Sequence, residues 1–562
     1  MITPFLDRPR IAYFSMEIAL AAGIPTYSGG LGILAGDTLR SAADLRIPLI
    51  GVTLASRRGY FRQEIDSAGR QIEHALPWDP AQHAEPLEAK IAVKVNGRKV
   101  WVGGWLYILQ SHTGGTVPVI LLDTDLPEND ERDRDITHYL YGGDQAYRLK
   151  QEIVLGIGGL RILQALDINV RYYHMNEGHS ALLAVELMHR FRYYDRRRAD
   201  EPNYNAPGVR ALCRFTTHTP VKAGHDQYEW DLVHELLDGF VDLEVLKQHA
   251  GQDHLNMTRL ALNLSGFVNG VALRHAETSR KMFPGYEVHA VTNGVHPRTW
   301  AAPAFAVLYD RHISGWCHET LLLNRADQIA DEEIWSAHTA AKVRLIERVR
   351  QHCNVTLDPE VPIIGFARRM TAYKRPDLLF SDIERLRTIA RRYPFQLVLA
   401  GKAHPRDEAG KRAIEDLHRH IQTLRTDVRA AYVPNYDMSV AGDLVAGADV
   451  WLNTPLRPLE ASGTSGMKAA FNGVPQLSVL DGWWVEGCLE GVTGWAIGND
   501  HESANGEDAE SLYHKLENTV LPLWHGDRPK WIALMKSVIS KNAAFFTSHR
   551  MLRRYAIDAY LR

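Results

Sequence analysis

From residue 360 onward, short apolar runs alternate with longer amphipathic stretches, and this alternation leaves few folds open. Strands are expected at 362–366, 396–400, 430–433, 450–453 and 476–479, with helices at 377–392, 407–424, 439–446 and 467–472 between them. Buried parallel strands read as near-continuous apolar runs, and each reaches its neighbour by a crossover, usually a helix. Such crossovers are right-handed, so the runs assemble into an open parallel sheet flanked by helices. Ligands on such a sheet bind beyond the carboxyl ends of its strands. Four polar loops follow those ends: Arg368 to Arg375, Gly401 to Pro405, Pro434 to Tyr436, and Glu460 to Lys468. They are expected to meet at one sheet edge, a convergence that packing alone does not explain.

The last of these loops reads Glu460-Ala461-Ser462-Gly463-Thr464-Ser465-Gly466-Met467-Lys468. Its glycines and small residues let backbone come close to an anion. Ser462, Thr464 and Ser465 add hydroxyl donors, and Lys468 stands where the chain turns apolar and helical. An anion cradle at a helix start with an amine in reach suits an aldehyde-phosphate cofactor. Taken alone, the same spacing also fits a Gly/Ser turn with a solvated lysine. The loop after the first strand of this half carries four cations, Arg368, Arg369, Lys374 and Arg375. Arginine forks and a lysine point charge suit phosphate. Asp377 and Glu384 are expected to balance part of that charge.

The first half mixes βα units with an antiparallel insertion. A strand at 10–14 leads through Gly29-Gly30-Leu31-Gly32 into a helix bearing Leu34, Leu39 and Leu45, then a strand at 47–54. Asn96-Gly97 inside an alternating stretch at 90–109 signals a hairpin, and 117–122 adds a strand. The glycine loop presents N–H groups to an anion, although it lacks the full dinucleotide fingerprint. Further candidate cleft loops are 174–180, 215–220 with His218, and 291–298 with Asn293. A lone histidine such as His218 is either a ligand contact or a structural group. His179, His218 and His225 show no i, i+4 pairing with an acidic partner, so no metal is expected. Trp483 and Trp484 follow a strand end, where they either stack on sugar or fill an interface core. The fold expected is α/β, with two domains facing a central cleft. The first spans 1–305 with the hairpin insertion near 90–110. The second spans 306–562, and its last helix, about 542–562, is placed to cross back to the first.

Composition narrows the partners. A chain of 562 residues can build more than one core. A net charge of −3 gives no electrostatic case for nucleic acid. The basic cluster Arg190, Arg192, Arg196, Arg197 and Arg198 reads as a solvated helix end. Four widely spaced cysteines without a CxxC pair argue against a zinc ribbon or disulfide scaffold, and fit a reducing compartment. Glu17 interrupts the first apolar stretch, and no basic segment precedes it. Neither a signal peptide, a transmembrane helix nor a membrane partner is expected, and the protein is placed in the cytoplasm.

Taken in order, the motifs Tyr13-Phe14-Ser15-Met16-Glu17, Arg369 to Arg375 ending in Tyr373-Lys374-Arg375, Glu460 to Lys468, and Asp481-Gly482 resemble the α-glucan (glycogen, starch, maltodextrin) phosphorylase family in its compact prokaryotic form. The resemblance implies a GT-B type fold of two Rossmann-like domains and a pyridoxal 5′-phosphate cofactor. It implies α-1,4-glucan and inorganic phosphate as substrates, with phosphorolysis from the nonreducing end, retention, and release of glucose 1-phosphate. By motif match Lys468 is the Schiff-base lysine, and Gly463, Thr464, Ser465, Gly30, Tyr436 and Arg368 bind the cofactor. Arg369 and Lys374 hold the substrate and cofactor phosphates. Glu460, Ser462, Gly463 and Asn293 contact glucosyl hydroxyls, with Leu31 beside the sugar, and His218 lines the glucose pocket. The chain departs from longer members at Glu177-Gly178, Asp437 and Trp483-Trp484. Family members are often dimers, which makes a homodimer an expectation here. The regulatory N-terminal extension of animal members is expected to have no counterpart. Two rivals stand beside this reading: a sugar-nucleotide glycosyltransferase of the same architecture, and an inactive glucan-binding protein. Lys468 within its tract argues against the first, and the full set of matched reactive residues against the second.

Overall fold

The computed structural model describes residues 10–192, 204–221, 224–237, 240, 242–499 and 505–561. Arg196, Arg197 and Arg198 of the basic cluster lie outside them.

The chain builds two main sheets. The first has ten strands. Its parallel part runs His289–Ala290, Phe267–Gly270, Cys213–Thr216, Tyr172–Asn176, Ile11–Ser15, Leu49–Leu54 and Thr116–Asp123 across the sheet. Arg98–Gln110 then adds antiparallel to Thr116–Asp123, carrying Ile91–Val95 and Glu85–Pro86. Asn96 and Gly97 both take positive φ, 49° and 70°, as a two-residue hairpin turn requires. Residues of Ile11–Ser15 alternate between two cores. Ala12 and Phe14 enter one, and Ile11 and Tyr13 the other, the period of two that a pleated strand imposes.

The second sheet has six strands, all parallel, in the order Arg429–Val433, Gln396–Ala400, Ile363–Ala367, Val450–Asn453, Gln476–Val479, Gly494–Ile497. Five of these match expected strands closely. Gly494–Ile497 is additional; its glycine and alanine carry little strand preference. In chain order both parallel sheets reverse at the first strand. The reversal lies between Ile11–Ser15 and Tyr172–Asn176 in one, and between Ile363–Ala367 and Val450–Asn453 in the other. A doubly wound sheet opens its ligand crevice at such a point.

Two devices join the halves. The small hairpin Arg62–Ile65/Gln71–His74 reaches the second sheet. Gln63 Nε2 donates to Gly401 O at 2.8 Å, Gln71 Nε2 to Ala403 O at 3.0 Å, and Lys402 Nζ to Phe61 O at 3.0 Å. The backbone N–H of Asn435 donates to Gln63 Oε1 at 2.9 Å. Two of the four strand-end loops therefore also serve to dock the first half onto the second. Second, the helix Ser548–Tyr555 returns to the first sheet. Met551, Leu552, Tyr555 and Tyr560 share a core with Tyr13, Leu34 and Leu39, and the Ser548 and Ser41 hydroxyls meet at 2.6 Å. Among the described residues, no helix is long and apolar enough to cross a membrane.

Candidate active site

The two crevices bring the remaining polar loops together. Gly463 takes φ 82° and starts the helix Thr464–Ala470, earlier than expected. Lys468 is its fifth residue and is buried, 6% exposed. Burial pushes the Lys468 amine down to about 8, opposed by Asp37. Its Nζ lies 4.1 Å from the centroid of the Trp300 ring. Asn472 braces this meeting, donating from Nδ2 to Trp300 O at 2.9 Å and to Lys468 O at 3.2 Å.

The cation loop is built around one carboxylate. Glu460 Oε2 accepts from Arg368 Nη2 and Lys374 Nζ, both at 2.5 Å. Burial alone would raise the Glu460 carboxyl, but these two cations overcome it and hold it at about 2. Asp481 Oδ2 accepts the Glu460 backbone N–H at 2.8 Å, and burial pushes Asp481 up to about 7. Arg375 is turned away, at φ 44°, to pair with Asp508 at 2.6 Å. Glu460 and Asp508 thus offset part of the charge of the loop. Asp377 and Glu384 do not serve that purpose; Glu384 pairs with Arg387. Arg369 makes no hydrogen bond or ion pair with any described residue. It opens to solvent and faces Gly29, where an added Cβ would stand 3.1 Å from its Nη2.

Several buried donors and acceptors here have no partner: Arg368 Nε and Nη1, Ser462 Oγ, Thr371 Oγ1 and Asn293 Oδ1. Buried polar atoms left unpaired cost about 1–3 kcal/mol each, and a polar ligand that reached these groups would relieve that cost. The space above Gly30 is empty, with no atom within 4 Å of an added Cβ. The residues present therefore fit a phosphate-bearing aldehyde cofactor: unpaired cationic donors, open glycine backbone and a buried amine.

The first half supplies the opposite wall. Glu17 is buried and organises the glycine loop. Its Oε2 accepts from Ser28 N at 2.6 Å and Gly29 N at 3.1 Å, and Tyr141 Oη donates to its Oε1 at 2.9 Å. In the sequence Glu17 only closes a matched motif and breaks an apolar stretch; neither points to this role. The signal available was a helix starting at Gly30 with no side-chain cap of its own. A cavity of about 470 Å³ adjoins this wall, lined by Tyr141, Arg148 and Asp226 from the first half and His404 and Arg406 from the second. Leu31 stands half-buried at the loop's end.

His218 sits half-buried after Cys213–Thr216. Asn176 donates to Ser15 Oγ at 3.0 Å, so its Oδ1 is an acceptor, and His218 Nε2 donates to it at 2.6 Å. Burial, and then His275, His174 and His179, push His218 down to about 3. It is a neutral, positioned group. Glu177, at φ 73°, accepts the His218 backbone N–H at 2.7 Å and the Thr219 hydroxyl at 2.9 Å. His179 and His225 turn to Asp226 and Thr258 instead. Among the described residues, the one His/Asp group close enough to share a ligand is Asp44, His296 and His549, at the far end of the glycine-loop helix.

Asn293 is held from behind. Arg550 of the returning helix donates to Asn293 O at 2.9 Å and Thr292 O at 2.8 Å. A Cβ on Gly294 would meet the Thr547 carbonyl at 2.1 Å. Gly294→Ala is expected to lower unfolding stability by about 1–3 kcal/mol, read as a lower urea midpoint with an unchanged slope. Tyr436 packs half-buried against the core that contains the second sheet. Asp437 caps the helix Met438–Gly447, accepting from Val440 N at 2.9 Å. Trp483 and Trp484 are both 1% exposed. Trp483 packs edge-on against Phe546 and beneath Gly463 and Gly466, so the pair is core that supports the glycine tract and not a sugar platform.

Comparison with known proteins gives a consistent set of relatives. The Carbohydrate phosphorylase family model matches residues 240–510. The chain is similar to the maltodextrin phosphorylase of Thermococcus litoralis, 40% identical over 98% of this chain and 70% of that protein. It is similar to the glycogen phosphorylases of Mycobacterium tuberculosis, 36% identical over 98% of this chain and 70% of that one, and of Aquifex aeolicus, 36% identical over 98% and 86%.

Proposed function

Because the chain belongs to the carbohydrate phosphorylase family, we propose that it is an α-glucan phosphorylase that releases glucose 1-phosphate from nonreducing ends of α-1,4-glucans with retention. In this reading it has a GT-B arrangement, with domains 1–305 and 306–562, and binds pyridoxal 5′-phosphate through Lys468. The observation that carries the reading is the cationic donor capacity left open at the second crevice: Arg369, exposed and without a hydrogen bond or ion pair to any described residue, and Nε and Nη1 of Arg368, buried without a hydrogen-bond partner.

Cleaving a glycosidic bond needs a proton on the leaving oxygen and support for an oxocarbenium-like transition state. Bound pyridoxal phosphate supplies a phosphate group that serves in proton relay. Gly463, Thr464, Ser465, Gly30, Tyr436 and Arg368 are the residues to hold it, with Lys468 as the covalent anchor. Arg369 and Lys374 would hold the substrate phosphate against the cofactor phosphate. Two phosphates repel strongly in a site shielded from water, and these cations offset that repulsion through the reaction. Glu460, Ser462, Gly463, Asn293 and Leu31 orient the glucosyl unit. His218, uncharged at working pH, contributes position, and Glu177 fixes its backbone.

Incubation of the purified protein with maltodextrin and phosphate is expected to yield glucose 1-phosphate. If only a sugar nucleotide supports glucosyl transfer, the reading is wrong. Lys374→Ala is expected to lower kcat by about 10²–10³-fold with cofactor content unchanged. Cofactor loss equal to that of a Lys468 variant would refute the division of roles.

A further inference from the structure

Asp37 lies on the helix Gly30–Asp44, wholly buried, and none of the roles above uses it. A buried carboxylate is costly unless charge or hydrogen bonds compensate it. Its Oδ2 accepts from Trp300 Nε1 at 2.7 Å and from His296 N at 3.2 Å. Its Oδ1 is buried and accepts no hydrogen bond. Arg40 Nη1 stands 3.7 Å from that oxygen, beyond hydrogen-bond length, and also lacks a hydrogen-bond partner. The indole that Asp37 holds is the one whose face meets Lys468 Nζ at 4.1 Å. A carboxylate from the first half, an aromatic ring from the junction and an amine from the second half are thus linked in series.

We propose that Asp37 is a positioning residue for the site lysine: it fixes the Trp300 ring on which the Lys468 amine rests, and it supplies the buried negative charge for that amine. This rests on the reading of Lys468 as the cofactor lysine. An ammonium over an indole face gains about 0.5–2 kcal/mol, but only while the ring is held in place, and the bond from Nε1 to Asp37 holds it. Burial works against charge on Lys468, and Asp37 opposes that push. The other charged or titratable groups facing Asp37 are Arg40 and His296; burial keeps His296 below its ordinary value. A carboxylate placed only to tether Trp300 would serve as well as its amide.

Asp37→Asn separates the two roles, because the amide oxygen still accepts from Trp300 and only the charge is lost. The test uses the full chain freed of cofactor. Acetylation of Lys468 across pH 6–10 is read by peptide mass spectrometry. Asp37→Asn is expected to lower the reactivity midpoint by about one pH unit, making Lys468 roughly fivefold more reactive at pH 7. Asp37→Glu, which keeps the charge, is expected to stay near the parent midpoint. Asp37→Ala is expected, in addition, to slow pyridoxal phosphate uptake, because Trp300 loses its tether. An unchanged midpoint in folded Asp37→Asn overturns the proposal, as does a Glu variant that shifts like the Asn one. Asp37→Ser, smaller and uncharged, takes the same test if the Asn variant does not fold. If the parent chain binds no pyridoxal phosphate, the functional reading fails, while the acetylation midpoints still decide the role of Asp37.

Discussion

Lys468→Ala is expected to yield a folded protein that carries no pyridoxal phosphate and releases no measurable glucose 1-phosphate. Folding should survive, because Ala is the best helix former and the substitution removes a buried amine that burial already disfavours. The loss is therefore chemical. Borohydride reduction of the parent should fix a pyridoxyl group to the peptide containing Lys468, and the cofactor's own near-ultraviolet band, at longer wavelength than that of tryptophan, should be missing from the variant. Reactivity alone does not choose this lysine. Burial also pushes Lys402 down to about 8. Geometry separates them: Lys402 Nζ donates to Phe61 O and ties the docking hairpin to the second sheet, whereas Lys468 lies on the helix that starts at Gly463. An adduct found on Lys402 in the parent, or full cofactor in Lys468→Ala, would sink the assignment. Because the neutral amine is the nucleophile and its midpoint lies near 8, cofactor uptake should quicken as pH rises from 6 to 8.

What the sequence made legible follows from what is local. Strands such as Ile363–Ala367 and Gln396–Ala400 are near-continuous apolar runs between turns, and their ends are readable for that reason. The tract 460–468 suggests an anion site by its composition, but the same residues also fit a Gly/Ser turn, and only the neighbouring loops and the ordered motifs separate the two. Partnerships are less legible, because they join residues far apart in the chain. The cations Arg368, Lys374 and Arg375 are visible as a cluster, but Glu460 lies 86 residues from Lys374, and Asp508 lies 133 from Arg375. The docking hairpin at 62–74 is short and mostly polar, so no periodicity reveals it. Trp483 and Trp484 are ambiguous by type; only the glycines packed against Trp483 and the burial of both show that they are core. The hold of Arg550 on the Asn293 loop depends on the chain returning across both halves, and no local pattern encodes that return.

Asp449→Ala is expected to cost about 3–5 kcal/mol, a large fraction of the ~5–15 kcal/mol that holds a domain together. Asp449 precedes Val450–Asn453, and its side chain is 0% exposed. Oδ1 accepts from His338 Nε2 and Trp524 Nε1, both at 3.0 Å. Oδ2 accepts from Lys342 Nζ at 2.9 Å and Ile363 N at 2.8 Å. The carboxylate thereby pins the helix Asp331–Cys353, the first strand of the sheet and the helix bearing Trp524 to one point. Truncation leaves the Lys342 ammonium buried, with Val361 O as its remaining acceptor. Burial alone would raise the Asp449 carboxyl. Lys342, His338 and the Ile363 N–H overcome this and hold it well below the ordinary range. A depressed value makes the contribution present above the unfolded value, about 3.9, and lost as pH falls toward the folded one. Urea midpoints of parent and Asp449→Asn should therefore differ most near pH 7 and converge in acid. Parallel curves from pH 7 to pH 3 would show that the carboxylate charge contributes nothing. This variant also differs from Lys468→Ala in kind: activity and fold should be lost together, because both crevice strands, Ile363–Ala367 and Val450–Asn453, depend on the same carboxylate.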